Sequence, residues 1–153
     1  RIAGLDPTDF TPYFSMTDAE LASHRALRTT ARASAGFPCR VSLRDADEGE
    51  ELLLLNHTSH AVETPYRNAF AIFVRKGAEP AEYVDRCPPV FKGRPIALRG
   101  YTGDGMLHDA RLALPGEADA KIRELLKDPA VVYIDAHNAA HGCFSARVER
   151  HDG

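Results

Sequence analysis

The sequence predicts an α+β fold: one domain over residues 1–153, with two helices and a mostly antiparallel sheet of seven or eight strands, open or barrel-like. Three observations lead to this prediction. Helical periodicity occurs in only two short stretches, whereas β-rich runs recur along the chain. Short turns containing Gly and Asp join most of these runs. The 153 residues contain no repeat and no long linker, as expected of a single domain.

The first helix is predicted over residues 18–28, in the stretch "MTDAELASHRAL". Thr17 can cap its N-terminus, and Glu20 completes a capping box three residues later. The second helix lies in "GEADAKIRELLKD", where the dipeptide Asp128-Pro129 ends it. Its apolar face comprises Ala118, Ile122, Leu125 and Leu126.

The stretch "PCRVSLRDADEGEELLLLNH" reads as a β-hairpin with its turn at residues 46–49. This turn would pair Leu43 with Leu52 and Val41 with Leu54. The unbroken leucine run 52–55 indicates a strand that is covered on both faces, and therefore a central one.

Three further segments complete the predicted sheet. "FAIFVRK", residues 70–76, is one strand, and "RPIALRGYTGDGMLHDARLAL" is a hairpin with "GDG" in its tight turn. The closing segment "VVYIDAHNAAHGCFSARVER" supplies two strands, 131–138 and 143–150.

The closing hairpin carries the main candidate site. Side chains alternate between the two faces of a strand. Placing His137 opposite Cys143 aligns the apolar residues of both strands on one face. Asp135 then lies opposite Ser145, and Tyr133 lies opposite Arg147. Opposed Cβ atoms are about 5 Å apart, so a thiol and an imidazole could form a hydrogen bond.

A cysteine beside a histidine can become a thiolate nucleophile. In this hypothesis Cys143 is the nucleophile, His137 is the base, Asp135 orients the imidazole and Asn138 lies near a developing oxyanion. The alternative is structural: Cys143 is a small buried apolar residue, and His137 satisfies a backbone group.

A metal site is not predicted. His57, His60, His137 and His141 are candidate imidazoles, but their spacings match no known zinc ligand framework. No phosphate-binding glycine motif is present, so no nucleotide cofactor is predicted either.

Arginines and tyrosines form a second candidate site. Arg99 and Arg147 can share one face of the sheet with Tyr101 and Tyr133. Guanidinium groups in a cleft commonly bind carboxylates or phosphates. The alternative is that these arginines form internal ion pairs, for example with Asp135.

Composition limits the classes of partner. A net charge of −3 argues against general nucleic-acid binding, and no apolar run approaches the roughly 20 residues of a membrane helix. The three cysteines are widely spaced without a CxxC pair, which favours a reducing, cytoplasmic location.

The stretches "GFPCRVSL", "PYRNAFAIFV", "LRGYTGDGML" and "HNAAHGCFSARVER" together resemble a bacterial family catalogued as domain of unknown function 1203. The resemblance runs from about Phe14 to Arg150 and implies no activity, cofactor or partner. It implies that the family's signature positions are Cys39, Arg40, Pro65, Tyr66, Arg99, Tyr101, His137, Asn138, Gly142 and Cys143. Cys39, Arg40 and Asn138 thereby join the candidate ligand-binding residues.

These observations leave three hypotheses about function. The first is a module that binds a small anionic ligand in a cleft near the 137–143 loop. The second is an enzyme with a Cys143 nucleophile. The third is a structural or interaction protein with a homodimer contact. The binding module needs only the arginine and tyrosine face, so it is the preferred expectation.

Overall fold

The computed structural model describes residues 1–152, and in this range it contains nine strands and two α-helices. Three short 3-10 helices are also present, at Pro7–Asp9, Thr11–Ser15 and Pro89–Phe91. The α-helices and strands in chain order are β1 (Ile2–Ala3), α1 (Asp18–Ser23), β2 (Ala26–Thr30), β3 (Glu51–His60), β4 (Asn68–Arg75), β5 (Glu82–Tyr83), β6 (Ile96–Tyr101), β7 (Leu107–Ala113), α2 (Ala118–Leu126), β8 (Tyr133–Asn138) and β9 (Phe144–Glu149).

The strands form two sheets, and all strand pairs are antiparallel. The six-stranded sheet has the order β5-β1-β9-β8-β6-β7, and the three-stranded sheet has the order β2-β3-β4. The predicted α+β fold is confirmed. Both sheets are open, so the barrel-like alternative does not apply. No helix within residues 1–152 has the length and hydropathy needed to cross a bilayer.

The apolar core has two main parts, separated by the six-stranded sheet. One part packs α2 against β6, β8 and β9 and includes Ile122, Leu98 and Ile134. The other contains residues from β3 and β4 together with Phe144 of β9. The face of β8 opposite Ile134 therefore looks towards the three-stranded sheet, and its polar side chains lie between the two sheets.

Helix α1 is shorter than predicted. The capping box is present, with the Glu20 amide donating to Oγ1 of Thr17 over 3.2 Å. The helix ends at Ser23, however, and Arg25 adopts a positive φ of 55°. Residues 26–30 then pair with β3, where Ala26 lies opposite Leu55. The helix prediction for residues 24–28 is wrong because strand pairing overrides local helix propensity.

The predicted hairpin between residues 41–43 and 52–54 is also wrong. Leu43 has a φ of 55°, which is incompatible with a strand. Both edges of β3 are already occupied, since Leu52 pairs with Thr29 of β2 and with Arg75 of β4. The prediction that the leucine run forms a central strand is confirmed.

Residues 37–46 instead form a compact loop beside β4. The Cys39 amide donates to the Arg44 carbonyl over 3.0 Å, and this bond closes the loop. The Arg40 amide donates to the Phe73 carbonyl over 3.0 Å, which fixes the loop to β4. The loop carries Arg40 to the edge of the three-stranded sheet.

The β8–β9 hairpin forms as predicted, but in a different register. Asp135 lies opposite Arg147 rather than Ser145, and Tyr133 lies opposite Glu149. This shift of two residues keeps the side chains of residues 146–149 on their predicted faces, whereas Phe144 moves to the opposite face. The register changes again at the turn, where His137 lies opposite Phe144. Ser145 is the extra residue of a β-bulge there.

Candidate functional site

A polar layer lies between the two sheets, and its buried carboxylate is paired with an arginine. Asp135 is fully buried and accepts hydrogen bonds from Nε of Arg147 at 2.7 Å and from Nη2 at 3.0 Å. The same guanidinium stacks over the ring of Tyr133, with 4.3 Å between its central carbon and the ring centroid. A bidentate pair of this kind balances the charge of Arg147 within the chain.

His60 extends this layer from the three-stranded sheet. Its Nδ1 donates to the Tyr66 carbonyl over 2.9 Å, so its Nε2 accepts from the hydroxyl of Tyr133 over 2.7 Å. Its ring also stacks on Tyr101, with centroids 4.0 Å apart. Burial raises the pKa of both tyrosines, and their hydroxyls stay protonated at neutral pH.

His137 is buried and bonded through both ring nitrogens. Its Nδ1 donates to the Gly142 carbonyl over 3.0 Å, and Nη1 of Arg99 lies 3.4 Å from Nε2. Burial, reinforced by the charge of Arg99, lowers the pKa of His137 to about 4. The imidazole is therefore neutral at pH 7, with its proton on Nδ1.

Cys143 contacts Arg40 rather than His137. Nη2 of Arg40 lies 3.0 Å from Sγ of Cys143, and the remaining bonds of this guanidinium go to backbone carbonyls. Nε donates to the Phe144 carbonyl over 2.6 Å, and Nη1 donates to the Pro38 carbonyl. Arg40 thus joins the 37–46 loop to the start of β9.

Arg40 is a buried positive charge without a carboxylate partner in residues 1–152. Its exposed fraction is only 1%. Burial lowers the pKa of Arg40 from its usual value. Buried charges are normally paired, because removing an unpaired charge from water is costly.

Arg40 lines a cleft of about 380 Å³ at the edge of β4. The cleft lies between this strand, the 37–46 loop and the β8–β9 turn. Asn138, which is 8% exposed, also lines it, and its Oδ1 has no hydrogen-bond partner within residues 1–152. The lining residues are Gly36, Pro38, Arg40, Leu54, Phe70, Ala71, Phe73, Arg94, Asn138, His141 and Cys143.

A second cavity, of about 270 Å³, lies between α2 and the chain ends and is lined by four arginines, Arg1, Arg86, Arg123 and Arg150. Arg123 pairs with Asp119 over 2.9 Å, and Arg150 donates to three backbone carbonyls. All four of these arginines are exposed to solvent, whereas Arg40 is buried. The cleft at β4 is therefore the stronger candidate for a ligand site.

The predicted nucleophile, base and orienting carboxylate are not bonded to one another. The predicted pairing of His137 opposite Cys143 is wrong, because the bulge at Ser145 places Phe144 opposite His137 instead. The His137 nitrogens bind Gly142 and Arg99, and the Asp135 carboxylate binds Arg147. His137 satisfies a backbone carbonyl, as the structural alternative expected.

The predicted ligand-binding residues divide between the two regions. Arg99, Tyr101, Tyr133 and Arg147 meet on one face of the six-stranded sheet, as predicted, in the polar layer. Arg40, Asn138 and Cys143 line the cleft. Cys39 is fully buried, and its Sγ accepts from the amides of Ser42 and Arg75.

Sequence reasoning missed three parts of the cleft: Arg94, His141 as a lining residue, and the apolar wall of Leu54, Phe70 and Phe73. No local pattern marks them, since they come from four separate segments of the chain. No group of three or more His, Cys, Asp and Glu side chains in residues 1–152 is placed to hold a metal ion.

Comparison with known proteins identifies the family alone. No curated protein and no solved structure matches the chain. A family model described as "Protein of unknown function (DUF1203)" matches residues 36–150. The matched range includes Arg40, Asn138 and Cys143 and covers more than half of the sequence. The chain therefore belongs to the DUF1203 family of proteins of unknown function.

Proposed function

We propose that this protein binds a small anionic ligand in the cleft formed by the 37–46 loop, β4 and the β8–β9 turn. The observation that carries the proposal is the burial of Arg40 without a carboxylate partner in residues 1–152. A guanidinium has five N–H donors, and three of them serve Phe144, Pro38 and Cys143. Two donors are left for a ligand oxygen.

Asn138 supports the same proposal independently. Its amide lies at the cleft wall, nine-tenths buried, and its oxygen is unpaired within residues 1–152. A 180° rotation of a primary amide exchanges its oxygen and nitrogen, so the group can offer N–H donors to an anion. A buried polar group that lacks a partner destabilises the free protein, whereas a ligand can satisfy it.

Thermal unfolding in the presence of anions tests the proposal. A ligand at 100 times its dissociation constant adds about 2.7 kcal/mol to stability, which raises Tm by roughly 5–10 °C for a domain of this size. Acetate, phenylacetate and inorganic phosphate form the first set of probes. If none of them shifts Tm or gives heat in titration calorimetry, the proposal fails.

Variants then locate the site. Arg40→Lys should weaken anion binding, because an ammonium cannot keep the three existing bonds and also reach a ligand. Asn138→Leu provides a second variant at the cleft in case Arg40→Lys folds poorly. Arg123→Gln, in the other cavity, is the matched control and should bind anions as the parent protein does.

A second candidate function is thiol chemistry at Cys143, with Arg40 in place of the predicted histidine. The contact of 3.0 Å favours it, because a neighbouring guanidinium stabilises a thiolate. A Cys143 thiolate would neutralise the Arg40 charge that an anionic ligand needs, so the two candidates are alternatives. Thiol chemistry requires a reduced cysteine, which fits the proposed cytoplasmic location.

Alkylation with neutral iodoacetamide tests the second candidate. The rate for an ordinary thiol rises about fiftyfold between pH 6.5 and pH 8.5, because its thiolate fraction rises. A thiolate held by Arg40 should react at nearly the same rate throughout this range. Mass spectrometry of the Cys143 and Cys87 peptides separates the two sites. A steep rise at Cys143 would eliminate this candidate.

A further inference from the structure

We infer that the ligand of the proposed anion site is an organic monocarboxylate with an apolar body, rather than a phosphate or a small inorganic anion. This inference rests on the proposed function. The inference follows from two features of the cleft: an apolar wall beside the arginines, and a net charge that suits one negative charge.

The wall consists of Leu54, Phe70 and Phe73. Leu54 and Phe73 lie on one face of the β3–β4 pair, and Phe70 lies on the other face of β4 at the sheet edge. Phe70 is 49% exposed although it belongs to a strand, and it borders the same cleft as Arg40. Exposed aromatic surface beside a buried cation fits a ligand that has one apolar part and one charged part. The cleft volume of about 380 Å³ exceeds what acetate or phosphate would fill.

The charge count favours one negative charge on the ligand. Two arginines line the cleft, but Nη2 of Arg94 pairs with Asp45 over 2.8 Å. Arg94 also donates to the Val90 carbonyl over 2.8 Å. Arg40 is therefore the one uncompensated charge among the described lining residues. A carboxylate neutralises it, whereas a phosphate dianion would leave a negative charge in a site with an apolar wall.

Titration calorimetry on the folded protein at pH 7.5 tests the ligand class with four matched probes. Phenylacetate combines the carboxylate with an aromatic ring, acetate has the carboxylate alone, and 2-phenylethanol has the ring with a neutral hydroxyl. Inorganic phosphate supplies the dianion. We expect phenylacetate to bind at least about tenfold more tightly than each of the other three.

Phe70→Ala isolates the contribution of the wall. This side chain is half exposed, so its removal should leave the fold intact. The variant should lose most of the preference for phenylacetate over acetate. Leu112→Ala is the control, because Leu112 is 57% exposed and lies on β7, away from the cleft lining.

The results distinguish failure of this inference from failure of the proposed function. If none of the anions binds, both are overturned. If phosphate or acetate binds as tightly as phenylacetate, the anion site stands and the ligand class is wrong. The ligand class is also wrong if 2-phenylethanol matches phenylacetate, or if Phe70→Ala leaves the preference unchanged.

Discussion

Arg147 donates to both carboxylate oxygens of Asp135, and this carboxylate has no surface in contact with solvent. The pair joins neighbouring strands β8 and β9 on the face that looks towards the three-stranded sheet. The two charges of this pair balance each other. Arg40, in contrast, is buried without such a partner in the described chain.

The Arg147–Asp135 pair should be important for stability. Arg147→Met would leave a buried carboxylate unpaired, and we expect it to lower the free energy of unfolding by about 3–5 kcal/mol. Asp135→Asn should cost less, because an amide can still accept a hydrogen bond from Arg147 and that guanidinium is partly exposed. Urea denaturation measures both changes.

The exposed pair of Arg123 with Asp119 provides the control for this comparison. Arg123→Met should leave the denaturation midpoint almost unchanged, since exposed ion pairs contribute little. Equal midpoints for Arg147→Met and Arg123→Met would show that the Asp135 carboxylate does not depend on its partner.

Asn138→Leu should separate stability from binding. The substitution removes a buried amide oxygen that lacks a partner, so we expect the free energy of unfolding to rise by about 1 kcal/mol. It also removes the proposed ligand contact, so phenylacetate should bind more weakly. Denaturation and calorimetry on the same samples give both quantities. A destabilised variant that binds normally would show that Asn138 has a structural role alone.

Gly4→Ala should disturb the loop that carries Arg40. A Cβ atom at this position would lie 1.8 Å from the carbonyl oxygen of Val41, which is backbone and cannot rotate away. We expect a loss of several kcal/mol of stability, of the size seen for severe overpacking. Gly103→Ala is the control, since its Cβ would meet only a Val132 methyl at 3.8 Å. A fully stable Gly4→Ala protein would contradict the close approach.

Stability should fall as the pH is lowered through the range set by His137. Its pKa is about 4 in the folded protein and near 6.5 in the unfolded chain, so the unfolded state binds the proton more readily. The stabilisation that this shift of the His137 pKa provides is complete above pH 6.5 and is lost towards pH 4. Between pH 7 and pH 5 this single group should contribute about 2 kcal/mol to the decrease.

His137→Asn tests that assignment, because asparagine keeps a donor in reach of the Gly142 carbonyl but does not titrate. Its free energy of unfolding should change less between pH 7 and pH 5 than that of the parent protein. Parallel pH profiles for the two proteins would show that another group causes the decrease.

Much of the fold follows from local sequence patterns. The capping box at Thr17, the β6–β7 hairpin and the buried face of α2 are all confirmed. The strand at residues 26–30 was not predictable in this way, because its pairing with β3 determines its conformation. Leu43 likewise has an apolar side chain typical of a strand, although its backbone is left-handed.

The candidate site was predictable in part. Alternation along β8 and β9 correctly brought Asp135, Arg147, Tyr133 and Tyr101 to one side of the sheet. The contact between Arg40 and Cys143 spans 103 positions, and no local pattern contains that information. The family resemblance included both residues, but it did not indicate that they meet.

The bulge at Ser145 has a consequence for comparing members of this family. It allows both Phe144 and Arg147 to face the three-stranded sheet. In a regular strand, two residues three positions apart would face opposite sides. A relative that lacks one residue between the turn and β9 would present its thiol to different neighbours while retaining every reactive side chain. Loop length between residues 138 and 146 is therefore a better guide to shared chemistry than the identity of the cysteine.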